Sequence, residues 1–303
     1  MAAVLEFEEV SKHYGGRFSR HPPVRALDNF CLQVEAGEIF GFLGPNGAGK
    51  TTAIHLALGF MRANSGRGRM LGRPFGEART RRRVGFLAEN VALYHRPALH
   101  LVQFYGALNG MGGMPLRQRA RDVLELVKLG SDAERNVAAF SRGMLQRIGL
   151  AQALVNNPEL LILDEPTSAL DPIARVIIRE LLLRLKREGK TVFLSSHLLS
   201  EVELVCDRVG VMHQGRLARL GKTADLLHSR EQTQVVARGI AAGAFPGAVA
   251  SDGVVSFTIA TASQRQVLEQ IWSLGGEVVS VNPLKRSLEQ IFLEVTQARG
   301  EGA

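Results

Sequence analysis

Nine consecutive residues, Gly44-Pro45-Asn46-Gly47-Ala48-Gly49-Lys50-Thr51-Thr52, have the types and spacing of a phosphate-binding loop. The glycines let the backbone turn tightly enough for its N–H groups to face phosphate oxygens, and Lys50 can reach the β and γ phosphates. Thr51 offers a hydroxyl to Mg²⁺, and a helix beginning near Gly49 aims the positive end of its dipole at the same anion. The chemistry is the binding of a nucleoside triphosphate. A second group lies at Leu160-Leu161-Ile162-Leu163-Asp164-Glu165, an apolar run that stops at two adjacent carboxylates. Unpaired buried carboxylates are costly, so acids at the end of a buried strand call for a cation. Asp164 suits coordination of Mg²⁺ through water, and Glu165 suits polarising the water that attacks a γ-phosphate. A third apolar run, Thr191 to Ser196, delivers His197. If these runs are strands of one parallel sheet, their carboxyl ends share a ligand crevice and His197 can touch the γ-phosphate.

The elements that must position these groups can be read from hydrophobic spacing. Ile39 to Leu43 is apolar and feeds the phosphate loop. Val4 to Val10 and Ala26 to Val34 read as strands, the second alternating before the turn Glu35-Ala36-Gly37-Glu38. Val84 to Leu87, Leu160 to Leu163, Thr191 to Ser196 and Val209 to His213 are further apolar strands, with a helix over Ile173 to Glu188 between two of them. Continuous apolar strands alternating with helices predict a parallel, two-sided α/β sheet. Leu99 to Leu108, Leu116 to Leu129 and Leu145 to Val155 have helical spacing, broken at Gly110 to Pro115 and at Gly130, which predicts a helical insert over about 96–155. Composition shifts after Asp225. Residues 1–225 therefore read as one domain and 226–303 as a small α/β appendage, with strands near Val235, Val254 and Glu277 and helices over Gln264 to Leu274 and Ser287 to Gln297.

Bulk properties narrow the function classes. A chain of 303 residues lies above the size at which one core usually stops growing, which fits two domains. Cys31 and Cys206 are far apart with no CxxC spacing, so the sequence predicts neither a disulfide framework nor a zinc site, as suits a reducing cytoplasm. Glu6, Glu8 and Glu9 are wrong for an export signal. The charge-free stretch Pro97 to Leu116 has the length of a bilayer span, but His100, Gln103, Asn109, Pro115 and four glycines make it too polar and broken. A membrane role would need another chain to cross. Net charge is +8, with the densest arginines between Arg62 and Arg83; without interleaved aromatic residues this reads as a solvated surface, and no nucleic acid is expected.

The phosphate loop, the acid pair and His197 are joined by Phe140-Ser141-Arg142-Gly143-Met144-Leu145-Gln146-Arg147. Together these segments resemble the ATP-binding subunit of an ABC transporter, over residues 4 to about 225. The resemblance implies an ABC-type P-loop fold: a mostly parallel sheet core, an N-terminal antiparallel β part and a helical insert. It implies ATP and Mg²⁺ as cofactors, ATP hydrolysis as the activity, and a homodimer in which two copies pack head to tail. Ser141, the backbone N–H of Gly143, and Met144 would then meet the γ-phosphate bound by the other copy, and Tyr14 would stack on adenine.

Two positions depart from the usual family pattern. Met144 stands where glutamine is usual, and Glu89, in Gly85-Phe86-Leu87-Ala88-Glu89-Asn90, stands where a metal-sensing glutamine links to the membrane partner. A carboxylate at 89 can still accept metal-bound water. These variants, with Ser287-Leu288-Glu289-Gln290-Ile291-Phe292 near the end, resemble bacterial drug and antibiotic exporters of the two-component type. The resemblance implies a separately encoded integral membrane permease as partner, contacts to it from about Asn90 to Tyr94, and a location on the inner face of the cell membrane. A soluble ABC ATPase acting on nucleic acid or ribosomes is the alternative. Such relatives usually carry paired cassettes or long insertions.

Overall fold

Apolar residues alternate along β1 (Ala3–Tyr14) and β2 (Val24–Glu35), and pair the two strands antiparallel with Leu5, Phe7, Leu32 and Val34 turned inward. The computed structural model to which these strands belong describes residues 3–15, 24–91, 93–168, 170–227, 232–284 and 286–297. β3 (Ile39–Leu43) is buried at every position, as a strand covered on both faces must be. It runs through the phosphate loop into α1 (Lys50–Ala57). After α1 come β4 (Ser65–Met70), β5 (Arg73–Pro74), α2 (Ala78–Arg81) and β6 (Val84–Leu87). β4 and β5 extend the first sheet in the order β2-β1-β4-β5. The sequence predicts basic surface for this arginine- and glycine-rich stretch. Pairing with β1 makes it a strand, because Arg69 sits opposite Glu6 and Arg67 opposite Glu8.

Three α-helices that contact one another follow, α3 (Ala98–Leu108), α4 (Gly113–Leu126) and α5 (Arg142–Leu154), with Leu101, Val102, Ala120, Val123 and Ile148 buried. The chain then alternates strand and helix: β7 (Leu160–Asp164), α6 (Pro172–Arg187), β8 (Thr191–Ser196), α7 (Leu199–Val205), β9 (Arg208–His213) and β10 (Arg216–Lys222). α6 starts where Asp171 accepts the N–H of Ala174 at 2.8 Å, with Pro172 in its first turn. The second sheet has the order β10-β9-β3-β8-β7-β6 and is parallel from β9 to β6. Its register places Leu43 beside Ser196, Asp164 beside Ser195, and Leu87 beside Leu163. The strands that carry the chemistry therefore end at one edge. A run of aromatic contacts, Phe7–Phe30 at 5.1 Å, Phe30–Phe42 at 5.8 Å and Phe42–Phe193 at 5.1 Å, joins both sheets in one core.

Contact density divides the chain into two compact units, residues 1–223 with Phe292 onward, and 224–291. The second unit begins in α8 (Thr223–Leu227) and holds β11 (Gln232–Arg238), β12 (Val249–Ser251), β13 (Val254–Ala260), α9 (Gln264–Ser273) and β14 (Glu277–Pro283). Its antiparallel sheet, ordered β12-β13-β11-β14, packs Val235, Ala237, Val255 and Phe257 with Ile271 of α9. The boundary back to the first unit falls inside α10 (Leu288–Gln297). Among the described residues no helix is long and apolar enough to cross a membrane.

The helical insert presses closely on the sheet. A Cβ at Gly85 of β6 would lie 2.1 Å from the carbonyl oxygen of Ala153 in α5. Gly85→Ala should therefore cost about 1–3 kcal/mol, read as a lower midpoint of chemical unfolding. An unchanged midpoint would show that α5 shifts without penalty.

Candidate nucleotide-binding site

Past Leu43 the chain folds over residues 44–49 with Gly47 at φ 78° and Gly49 at φ 108°, left-handed values that glycine adopts without steric cost. A Cβ at Gly49 would also meet the carbonyl oxygen of Ala26 at 2.2 Å. Gly49 caps α1 without a side-chain bond, which leaves the first-turn N–H groups facing outward to an anion. Lys50 is 7% exposed, and its Nζ donates to the carbonyl oxygens of Gly44 at 2.5 Å and Pro45 at 3.3 Å. Burial pulls its pKa below the ordinary lysine value, against the opposing pull of the Glu165, Asp164 and Glu89 carboxylates. A poorly hydrated ammonium of this kind gains from exchanging carbonyl oxygens for charged phosphate oxygens.

The acid pair is held by hydroxyls. Thr51 Oγ1 donates to Asp164 Oδ2 at 3.3 Å, and Ser195 Oγ donates to Asp164 Oδ1. Glu165 follows at φ 52°, a strained left-handed value for a residue with a side chain. Its N–H bonds both the carbonyl oxygen and Oγ of Ser195, each at 3.2 Å, which offsets that strain. Glu165 Oε2 lies 2.7 Å from His197 Nδ1 and accepts the His197 backbone N–H at 3.3 Å. The Tyr14 hydroxyl lies 3.3 Å from Thr52 Oγ1, and Lys12 Nζ lies 5.6 Å from the centre of the Tyr14 ring.

Tyr14, residues 44–52, Glu89, Asp164, Glu165 and His197 line one cavity of about 820 Å³. The oxygens of Thr51, Asp164 and Glu89 form a donor set suited to a hard cation such as Mg²⁺. Among the described residues no three His, Cys, Asp or Glu side chains form a metal cage, and Mg²⁺ typically completes its shell with phosphate oxygens and water. The signature segment lies elsewhere: Ser141 caps α5 by accepting the Met144 N–H at 3.3 Å, and the described lining of the cavity includes neither Ser141, Gly143 nor Met144.

Ser195 and Phe292 belong to this site, although the motifs assigned neither of them to it. Ser195 carries the bonds to both acids; its signal was a serine aligned with Asp164 on the neighbouring parallel strand. Phe292 lines the cavity; its signal was the terminal motif, read only as a mark of the exporter branch.

Strand, glycine loop and helix in this order, with acids two strands away at the same sheet edge, are the build of a P-loop nucleoside triphosphatase. Comparison with known proteins narrows the class. Residues 27–168 match the ABC transporter family. An ABC transporter ATP-binding protein of Synechocystis sp. is 37% identical over 305 residues, covering 99% of this chain and 86% of that protein. A Nod factor export ATP-binding protein of Cupriavidus metallidurans is 36% identical, covering 78% and 77%. A dimeric ATP-binding cassette solved in a post-hydrolysis state with ADP and Pi superimposes with a TM-score of 0.66 at 25% identity, covering 72% of this chain and 98% of that one. The chain belongs to the ABC transporter family, as an ATP-binding and ATP-hydrolysing subunit.

Phe292→Ala removes part of the apolar cavity wall while leaving the loop and acids intact. It should weaken ATP binding by about 1 kcal/mol, about fivefold in Kd, in a fluorescence titration. Unchanged affinity would take Phe292 out of the nucleotide's surroundings.

Proposed function

We propose that two copies of this chain enclose ATP and Mg²⁺ head to tail, and that their closing and reopening drives a separate membrane permease that exports its substrate. The observation carrying this reading is a division of parts. The cavity gathers Lys50, Thr51, Glu89, Asp164, Glu165 and His197, whereas Ser141, Gly143 and Met144 sit at the N-terminus of α5 and outside that lining. A second copy turned head to tail supplies what one chain keeps apart: the Ser141 hydroxyl, the Gly143 N–H, the Met144 side chain and the positive end of α5 directed at the γ-phosphate.

Each residue then has a task. The backbone of residues 44–49 and Lys50 hold the phosphates, and Tyr14 stacks on adenine. Thr51 and Asp164 would hold Mg²⁺, and Glu89 would serve as a water-mediated acceptor beside it; the ion, when bound, would polarise the γ-phosphate and offset its charge. Glu165 takes the proton of the attacking water, and His197, which contacts its carboxylate, reaches the γ-phosphate. ATP performs work because it favours the closed pair over the open one.

The permease contact is proposed on the segment after Glu89, Asn90 to Tyr94, of which residue 92 lies outside the described residues. Exposed aromatic rings support this position. Tyr94 is 62% exposed and packs on Phe104 at 5.6 Å, and Phe60 is 60% exposed and packs on Phe86 at 5.9 Å. Such a subunit works at the inner face of the cell membrane without crossing it. Export as the direction rests on the terminal motif and on the likeness to the Nod factor export protein.

Glu165→Gln should lower turnover by at least about a hundredfold and leave an ATP-dependent dimer on size-exclusion chromatography. Hydrolysis at the original rate would remove Glu165 from the role of base. Tyr94→Asp should abolish transport in cells while ATP affinity of the purified chain stays unchanged; surviving transport would put the docking site elsewhere.

A further inference from the structure

Both acids of the site meet at one hydroxyl. Ser195, fully buried at the end of β8, donates its proton to Asp164 Oδ1 and accepts the backbone N–H of Glu165 at 3.2 Å. A serine hydroxyl has one donor and two lone pairs, so it can make both bonds at once. Each bond fixes something different. The first uses the Asp164 oxygen that Thr51 does not, so the carboxylate plane is set by one hydroxyl on each oxygen. The second falls on the residue whose left-handed backbone, φ 52°, aims the Glu165 side chain at His197.

We propose that Ser195 is a positioning residue for hydrolysis, whose single hydroxyl orients the metal-holding Asp164 and the water-activating Glu165 together. This rests on the roles proposed for those two acids. The parallel register makes the arrangement possible, since Asp164 and Ser195 are direct cross-strand partners. Binding of the phosphates does not depend on it, because the groups proposed to hold them are Lys50 and the backbone of residues 44–49, and the hydrogen bonds of Lys50 go to Gly44 and Pro45 rather than to Ser195. The neighbouring serine has another occupation: Ser196 Oγ accepts the N–H of Leu198 at 3.0 Å and helps shape the turn into α7.

The test compares Ser195→Ala, Ser195→Thr and Glu165→Gln as full chains. In Ser195→Ala the Glu165 N–H still has the residue-195 carbonyl, 3.2 Å away, as an acceptor, and the unfolding temperature of each variant reports whether the fold is kept. Turnover should fall by roughly 10–100-fold. Affinity for ATP in EDTA should be unchanged, and the gain in affinity on adding Mg²⁺ should shrink. Ser195→Thr, which keeps the hydroxyl, should restore both turnover and the Mg²⁺ gain. Wild-type turnover in Ser195→Ala, beside lost turnover in Glu165→Gln, would overturn the inference alone. Retained turnover in Glu165→Gln would overturn the reading of the acid pair, and this inference with it. A loss in Ser195→Ala that Ser195→Thr shares, with a lower unfolding temperature in both, would make the residue structural only and also overturn it.

Discussion

Everything in the nucleotide site depends on keeping Lys50 and the carboxylates of Asp164 and Glu165, each less than a tenth exposed, within one cavity. In a partly desolvated space each charge depends on the others, and removing one leaves an uncompensated partner at a cost of several kcal/mol. A triphosphate adds negative charge to a cavity that already holds three carboxylates, counting Glu89. The balance then needs Lys50, the N-terminus of α1 and a divalent cation together. This is why the proposed metal role falls to oxygens beside the phosphate loop rather than to a separate cluster.

The scaffold answers this constraint with different materials for different tasks. Acids sit on strand ends, where the parallel register fixes them to their neighbours, while the part proposed to meet the phosphates is glycine-rich backbone that can approach closely. The signature serine sits on the helical insert, whose helices are tied reciprocally. Arg147 of α5 donates to the carbonyl oxygens of Val127 and Lys128 just past α4, and Arg119 of α4 donates to those of Leu154 and Val155 at the end of α5. Each arginine satisfies the orphan carbonyls at the end of the other helix. Burial lowers the pKa of both, opposed by nearby carboxylates. The pair can therefore present Ser141 as one stiff body.

Much of this was legible because the signals were contiguous. Gly44 to Thr52, the run into Asp164 and Glu165, and the run into His197 each place a functional group directly after an apolar strand, and the parallel sheet brings those ends together. β4 was not legible, since six residues rich in glycine and arginine have no hydrophobic period and owe their strand to charges on β1. Ser195 was hidden for a different reason: its partners are distant in sequence and adjacent only through register. The terminal motif was visible as a pattern, but nothing in its spacing indicates that Phe292 reaches a cavity built from residues 14 to 199.

The central claim is that a complete site needs parts from two chains. Its most direct test mixes two variants that are each inactive, Lys50→Ala, with a broken loop and an intact signature, and Ser141→Arg, with the reverse. A head-to-tail pair containing one of each has one intact loop facing one intact signature. Mixing should therefore recover ATP hydrolysis that neither variant has alone. A mixture as inactive as its components, under conditions where the two chains demonstrably form a mixed dimer, would contradict the shared site.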